Sequence, residues 1–223
     1  MRRLVPAALA LAMLGAACSS SSSSSSSTPP TTAQPIAIFN YGTTACPPGA
    51  GAPAPGTAFA APPQKCITDG KDYGAVIDTN LGTMTVDLWE DMAPGTVNNF
   101  VFLARYRWFD GVQFHRVVPK FVIQAGGLPK ERASPGYALA DELPGAPHPY
   151  PKGALAMANT GQPNTNGSQF FICVDCSSLP PTYTLFGQVT GGADVIDKIA
   201  ALGNGDGPPS SPVTINSVTI TEQ

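Results

Sequence analysis

The sequence predicts a mainly β protein whose folded part is a closed antiparallel barrel capped by two α-helices. Short runs rich in β-branched and aromatic residues alternate with turn signals from residue 73 to the end of the chain. Only two stretches of this region place apolar residues at helical spacing. Many strands and two helices within about 150 residues are typical of a barrel with covered ends.

The first two strands are predicted to form a hairpin. Ala75–Thr79 and Thr83–Leu88 are β-rich runs, and the turn signal Asn80-Leu81-Gly82 separates them. Further strands are expected along the chain at Phe114–Val118, Phe121–Gln124, Ala154–Ala158, Phe170–Val174, Thr184–Val189 and Val213–Thr221.

Two helices are predicted among these strands, and both are expected to cap the barrel. The first runs from Thr96 to Arg107 and is opened by Pro94 at its first turn. Its apolar face is formed by Val97, Phe100, Val101 and Ala104. The second runs from Ala193 to Leu202 and is ended by Gly203, with an apolar face formed by Val195, Ile196, Ile199 and Leu202.

The charge and hydropathy of the chain exclude several classes of protein. The 12 basic and 15 acidic residues give a formal net charge of −3, whereas a nucleic-acid-binding domain normally carries a basic excess. All apolar runs are shorter than the ~20 residues that a membrane-spanning helix needs. We therefore expect that the chain binds no nucleic acid and that it is not a membrane protein with several spanning helices.

Residues 1–17 have the pattern of a secretory signal peptide. Arg2 and Arg3 precede an apolar stretch, Leu4–Leu14, that is too short to span a bilayer. Small residues and Cys18 follow, which resembles the signal of bacterial lipoproteins, where such a cysteine is lipidated and becomes the new N-terminus. We expect lipidation of Cys18 and an extracytoplasmic protein anchored to the bacterial cell membrane by this lipid, with cleavage and secretion as the alternative.

Residues 18–64 are predicted to be a largely disordered tether. The segment has no charged side chain and begins with an unbroken serine run, Ser19–Ser27. Such a Ser-, Pro- and Gly-rich stretch behaves as a flexible spacer, which suits a domain held off a surface. Its apolar patch, Ile36–Phe39, is compatible with an edge strand or with a loose segment. The folded domain is predicted over residues 65–223.

If Cys18 carries lipid, four cysteines remain, an even number in an oxidising compartment. We predict a disulfide between Cys46 and Cys66, since closing this Pro- and Gly-rich loop would stabilise the fold by about 3 kcal/mol. Whether Cys173 and Cys176 are bridged stays open. Residues three apart in a strand lie about 10 Å from each other, so a bridge needs the chain to turn immediately after Val174. No metal is expected, since a second C-x-x-C and suitably spaced His ligands are absent from the sequence.

Two long motifs carry the strongest signal in the sequence. Residues 114–127 read FHRVVPKFVIQAGG, and residues 157–172 contain MANTG followed by NTNGSQFFI. With Ala93-Pro94 and Asn98-Asn99-Phe100 upstream, these motifs resemble the cyclophilins, the peptidyl-prolyl cis–trans isomerases. The resemblance covers roughly residues 73 to 221 and says nothing about the tether.

The resemblance implies an eight-stranded barrel with a helix over each end and a substrate groove on its outer surface. Strand alternation agrees with this arrangement, because Gln169, Phe171 and Cys173 share one face while the side chains between them take the other. One set can fill the barrel and the other can line a groove.

The implied reaction needs no nucleophile, metal or cofactor. Rotation about an X–Pro bond is slow because amide resonance gives a barrier of about 18–20 kcal/mol. In the twisted transition state the proline nitrogen becomes a lone-pair acceptor, which a fixed cation with N–H donors binds better than either planar state. Within the motif we assign this catalytic role to Arg116, whose guanidinium is permanently charged and directional. His115 has no proton to move in such a reaction and is interpreted as a hydrogen-bonding residue of the motif.

The resemblance also implies a substrate-binding set around Arg116. The apolar seat for a proline ring is assigned to Phe121, Val122, Phe171 and Leu179, with Tyr183 at the rim. Hydrogen bonds to the peptide backbone are assigned to Gln124 and Asn159, with help from Gln169 and the main chain near Ala158.

Two classes of function follow for the chain, which we expect to be a monomer that binds proline-containing polypeptides. The first is an isomerase that accelerates rotation of X–Pro bonds in exported proteins and so assists their folding. The alternative is a proline-peptide-binding chaperone or scaffold with incidental turnover. Arg116 favours the enzyme, because a pure binding module has no need for that cation.

Overall fold

The computed structural model describes residues 40–53, 58–127, 134–145 and 150–223. Cys18, the predicted signal peptide and Ile36–Phe39 lie outside the described residues. Within the described ranges the strands are β1 (Tyr73–Thr79), β2 (Gly82–Leu88), β3 (Phe114–Val118), β4 (Val122–Ala125), β5 (Ala154–Met157), β6 (Phe170–Cys173), β7 (Leu185–Gly191) and β8 (Ile215–Glu222). The helices are α1 (Pro94–Arg105) and α2 (Ala193–Ala200).

The predicted mainly β class is confirmed, with eight strands and two helices in the part of the chain that the structure describes. The strands form one sheet in the order β3-β4-β6-β5-β7-β2-β1-β8, and all neighbours run antiparallel. None of the described helices is long and apolar enough to cross a membrane.

The prediction of a closed barrel is wrong, because the described sheet is open between its edge strands β3 and β8 and curves into a half-barrel. The two edges approach at one end, where the Phe114 N–H donates to the Val213 carbonyl at 2.9 Å. Further along β3, the Val117 N–H donates to the carbonyl of Gly207, in the loop after α2, at 2.7 Å. That loop therefore takes the position that a closing strand would need.

Apolar side chains pack on both faces of the sheet and form two clusters. The inner cluster contains the buried faces of both helices and is rich in aromatic rings, such as Phe100 and Phe170. The outer cluster is smaller and consists of Val122, Tyr150, Ala154, Ala156, Phe171, Cys173, Cys176 and Leu185. The alternation predicted for β6 is confirmed, since Phe170 lies in the inner cluster and Phe171 in the outer one.

Part of the predicted tether packs on the domain as a belt, which we define as residues 40–53 and 58–67. Phe59 is buried, and the centroid of its ring lies 4.7 Å from that of Phe102 and 5.5 Å from that of Trp108. The described residues before 65 therefore contact the domain, while the largely disordered tether predicted over residues 18–64 as a whole stays a prediction. The predicted Cys46–Cys66 disulfide constrains this segment, and the burial of Phe59 is the feature that its composition does not reveal.

Both pairs of non-terminal cysteines form disulfides. The Cys46–Cys66 bridge links the two parts of the belt, with the two Cα atoms 5.4 Å apart. Cys173 and Cys176, the pair that the sequence leaves open, are also bridged, with the Cα atoms 5.6 Å apart. Strand β6 ends at Cys173 and the chain bends over the next two residues, which brings the cysteines within bonding distance.

Candidate active site

A cavity of about 150 Å³ opens on the outer face of the sheet, beside the outer cluster. Its lining contains all but one of the residues assigned to catalysis and substrate binding: Arg116, Phe121, Val122, Gln124, Ala158, Asn159, Phe171, Leu179 and Tyr183. The remaining residue, Gln169, lies next to the cavity and contacts Gln124. The structure thus brings the predicted residues together from β3, β4, β6, the turn between β3 and β4, and two loops.

Strand register places the polar and apolar halves of the site side by side. Arg116 on β3 pairs with Gln124 on β4, and Gln124 pairs in turn with Phe171 on β6. Directly paired residues point to the same face of a sheet, so these three side chains stand in one row. The row carries a cation at one end and an aromatic ring at the other.

The Arg116 guanidinium is held by two neighbours. Its Nε and Nη2 donate to the two carboxylate oxygens of Asp206 at 2.6 and 2.9 Å, and Nη1 donates to Gln124 Oε1 at 3.2 Å. The hydrogen bond to Asp206 raises the pKa of Arg116 above its already high ordinary value. Each terminal nitrogen carries a second N–H that remains for a substrate.

Asp206 is a site residue that the sequence analysis missed. It lies 90 residues after Arg116 in the chain, in the loop that follows α2. The hydrogen bond from Arg116 holds the pKa of the Asp206 carboxyl below its usual value, so the pair stays ionised at neutral pH. No motif in the sequence connects the two residues.

The polar side of the site continues away from the guanidinium through two amides. Gln124 accepts from Arg116 and donates through Nε2 to Gln169 Oε1 at 3.1 Å. Across the cavity, Asn159 Nδ2 donates to the Thr182 carbonyl at 3.2 Å. The Ala158 N–H donates to the Gln169 carbonyl at 2.9 Å. The Ala158 carbonyl is therefore the main-chain group that this residue offers to a ligand.

The apolar side of the cavity has a buried floor and partly exposed walls. Val122 and Phe171 are 2% and 4% exposed and form the floor, while Phe121 and Leu179 are walls. The ring of Tyr183 meets Phe171 edge-to-face, with centroids 5.4 Å apart. A small apolar ring fits such a cavity, and the aromatic edges favour contact with aliphatic carbons.

The guanidinium lies beside this apolar surface. The Arg116 Cζ atom is 6.0 Å from the centroid of the Phe121 ring. Phe121 follows a tight turn between β3 and β4 in which Lys120 has a φ of 59°. The turn allows the residue after it to bring its ring back towards Arg116.

His115 lies outside the cavity although it precedes Arg116 in the chain. Burial lowers the pKa of its imidazole below the ordinary value of 6.5, so the ring is uncharged at neutral pH. A side chain at Gly127 would collide with this ring, since a Cβ atom there would lie 2.7 Å from His115 Cε1. His115 thus packs within the motif. In the described ranges no three His, Cys, Asp or Glu side chains are grouped to bind a metal ion.

Comparison with known proteins identifies the same region. The sequence model of the family described as "Cyclophilin type peptidyl-prolyl cis-trans isomerase/CLD" matches residues 75–220. A Mycobacterium leprae protein named "Probable peptidyl-prolyl cis-trans isomerase B" is 40% identical over 177 residues, which cover 70% of this chain and 59% of the relative. A Helicobacter pylori peptidyl-prolyl cis-trans isomerase is 40% identical over 130 residues, which cover 56% of this chain and 78% of that protein.

Solved structures agree with the sequence relatives. A cyclophilin type peptidyl-prolyl cis-trans isomerase of Cryptosporidium parvum superposes with a TM-score of 0.62 at 27% identity, covering 68% of this chain and 99% of that one. A second structure of that protein, determined in the presence of the dipeptide Ala-Pro, gives a TM-score of 0.61. The chain spans 57–59% of the length of the mycobacterial relatives that it matches.

Proposed function

This chain belongs to the cyclophilin-type peptidyl-prolyl cis–trans isomerase family, and we propose that it accelerates the rotation of X–Pro peptide bonds. One observation carries the proposal: the Arg116 guanidinium is fixed by Asp206 at the edge of an apolar cavity suited to a proline ring. Gln124 holds the same guanidinium from the cavity side.

The catalytic requirement is differential binding of the twisted amide. Shortening the time of X–Pro rotation from about 100 s to milliseconds is a rate increase of about five powers of ten, which requires lowering the activation free energy by roughly 7 kcal/mol. The cavity floor holds the proline ring in both planar isomers and therefore does not by itself lower the barrier. A guanidinium N–H aimed at the proline nitrogen binds best when resonance is lost and the nitrogen lone pair is available.

Each neighbour of Arg116 has a role in this mechanism. Asp206 and Gln124 fix the direction of the guanidinium before the substrate arrives, so little reorganisation is needed in the transition state. Asn159 and the Ala158 carbonyl lie across the cavity, where they can bind the peptide on one side of the rotating bond. No proton is transferred and no covalent bond forms or breaks.

Activity is tested with a refolding protein whose slow phase is limited by one X–Pro bond. The wild-type chain should accelerate this phase, and Arg116→Ala should lose about 10²- to 10³-fold of the acceleration. Arg116→Lys keeps the charge but not the planar pair of donors, so it should fall between the two. A wild-type chain that binds proline peptides without accelerating the phase would instead be a binding module.

The same proposal includes a place of action outside the cytoplasm, on exported proteins, with the chain anchored through lipid on Cys18. The support is the signal-like pattern of residues 1–17 and the presence of two disulfides, which persist in oxidising compartments. Lipid attachment removes the need for a spanning helix, although stable anchoring by acyl chains normally takes two of them.

Anchoring is tested by feeding cells a clickable fatty acid and separating membranes from soluble protein. The wild-type chain should incorporate the label and sediment with membranes, whereas Cys18→Ala should do neither. Cys46→Ala/Cys66→Ala serves as the control, because it also removes cysteines but should keep the label. An unlabelled wild-type chain in the soluble fraction would refute the lipid anchor and favour secretion.

A further inference from the structure

The Cys173–Cys176 disulfide lies directly beneath the cavity. Cys173 pairs in register with Val122, which forms part of the cavity floor. Both cysteines are at most 1% exposed and belong to the outer cluster that contains Phe171. The Cys46–Cys66 bridge, by contrast, lies in the belt and contributes no residue to this cavity.

The disulfide begins a segment that carries one wall of the cavity. We call residues 174–184 the pocket loop; it connects β6 to β7 and contains no helix or strand. Leu179 and Tyr183 belong to this loop and line the cavity. Their positions therefore depend on how the ends of the loop are attached.

The two ends of the pocket loop are attached by different means. At the far end, the Tyr150 hydroxyl donates to the Tyr183 carbonyl at 2.9 Å and accepts from the Tyr183 N–H at 3.2 Å. At the near end, Cys176 is joined to Cys173 by the disulfide and its backbone pairs with Tyr150 in an isolated antiparallel bridge. The Cys176 carbonyl accepts the Leu179 N–H at 2.9 Å. Leu179 is thus linked to the sheet through the residue that the disulfide holds.

We propose that the Cys173–Cys176 disulfide positions Leu179 and so sets the affinity of the cavity for the proline ring. This inference rests on the proposed function, and it assigns the disulfide to ground-state recognition of proline. Arg116 lies on β3, and its side chain is held by hydrogen bonds to Asp206 and Gln124. Neither partner belongs to the pocket loop. Loss of the disulfide should therefore weaken binding of both planar isomers and leave the rotation step intact.

Loss of the disulfide should not unfold the domain. The Val174 and Asp175 N–H groups both donate to the Phe121 carbonyl, at 2.8 and 3.1 Å, and these hydrogen bonds do not involve the sulfur atoms. They keep the first residues of the pocket loop near the sheet. The expected defect is a displaced or mobile wall at Leu179 rather than a lost fold.

The test measures the isomerisation rate over a series of Ala-Pro peptide concentrations for wild type and for two matched double variants of the full chain. Cys173→Ala/Cys176→Ala should raise KM about 3- to 10-fold with kcat within about 2-fold of wild type. Cys46→Ala/Cys66→Ala should leave KM unchanged but lower the melting temperature more, since it opens a loop of 20 residues instead of 3. Equal KM values for wild type and the first variant would overturn the inference.

A third variant tests whether Leu179 is the residue through which the disulfide acts. Leu179→Ala should raise KM, and removing the disulfide in the Leu179→Ala background should raise it little further, because both changes remove the same wall. A purely structural role of the disulfide predicts instead that the two effects multiply, and that result would refute positioning. If Cys173→Ala/Cys176→Ala fails to fold, Cys173→Val/Cys176→Ala, which refills the space, takes its place.

The outcome for the disulfide is separable from the outcome for the enzyme. If the wild-type chain does not accelerate rotation, the proposed activity fails, and the dissociation constant of the Ala-Pro peptide replaces KM in each comparison. A larger dissociation constant in Cys173→Ala/Cys176→Ala, with no change in Cys46→Ala/Cys66→Ala, would still support positioning. An unchanged constant would refute it.

Discussion

At the scale of single residues, the site depends on one ion pair. Arg116 has 32% of its side-chain surface exposed, so its charge reaches a ligand, while Asp206 restricts its orientation. Such a partly exposed pair contributes little to stability, and its importance lies in geometry. The sequence identifies Arg116 through its motif but not Asp206, because a carboxylate 90 residues away leaves no local pattern.

The groups beside the guanidinium predict a flat pH dependence of activity. The pKa of Asp206 is lowered, so the ion pair is present above the ordinary carboxyl value and is lost only as pH falls through the lowered one. The pKa of His115 is also lowered, so the ring stays neutral as pH falls past 6.5. We expect kcat/KM for an Ala-Pro peptide to be constant between about pH 6.5 and 8.

The control for this prediction is Asp206→Asn, which lacks the titrating carboxylate. It should have lower activity than wild type at every pH, because the amide holds the guanidinium less firmly. A sigmoidal profile for the wild type with a midpoint near 6.5 would show that His115 titrates in the reaction, contrary to the account.

At the scale of elements, α1 shows how distant residues complete a local structure. The residue before the helix, Ala93, provides no side-chain cap. Instead, the Glu142 carboxylate accepts from the N–H groups of Gly95 and Thr96 at 2.9 and 2.7 Å. Pro94 and the apolar spacing predict the helix, but its cap comes from 46 to 47 residues further along the chain.

Removing this cap should destabilise the domain. Glu142→Ala leaves the two buried N–H groups unpaired, which should lower the free energy of unfolding by about 1–3 kcal/mol. Glu142→Gln keeps one acceptor oxygen and should lose less. Urea denaturation of the three proteins measures both changes, and an alanine variant as stable as wild type would mean that Glu142 does not cap the helix.

The same contrast explains which elements the sequence predicts. Strands and helices follow from alternation, apolar spacing and turn residues, all of which are local, so each predicted element is present with small shifts at its ends. Closure of the barrel is a long-range property, and it fails because the loop at Gly207 lies against β3. The bridge between Cys173 and Cys176 likewise required a bend that composition does not encode.

At the scale of the whole molecule, the belt extends the domain beyond the residues that the family model matches. The family match begins at residue 75, whereas the belt already contacts the domain at Ala45, whose carbonyl accepts from the Tyr106 hydroxyl, and at Ala52, whose N–H donates to the Arg105 carbonyl. Asn98 Oδ1 in α1 accepts from the Cys66 N–H at 2.6 Å, and Phe59 joins the aromatic rings of the inner cluster. The domain is therefore larger than its motifs indicate.

The belt should contribute to global stability. Phe59→Ala should lower the free energy of unfolding by about 3 kcal/mol, because it leaves a cavity beside Phe102 and Trp108. Gln64→Ala, an exposed position in the same belt, should change it by less than about 0.5 kcal/mol. A single denaturant transition in which both variants match wild type would show that the belt is dispensable.

The central claim is that the Arg116 guanidinium binds the twisted amide more tightly than the planar isomers. NMR exchange spectroscopy on an Ala-Pro peptide measures both the rotation rate on the protein and the dissociation constant. For Arg116→Ala we predict a rate at least about 100-fold lower with a dissociation constant within about 3-fold of wild type. A rate that stays the same, or a dissociation constant that rises as much as the rate falls, would contradict the account.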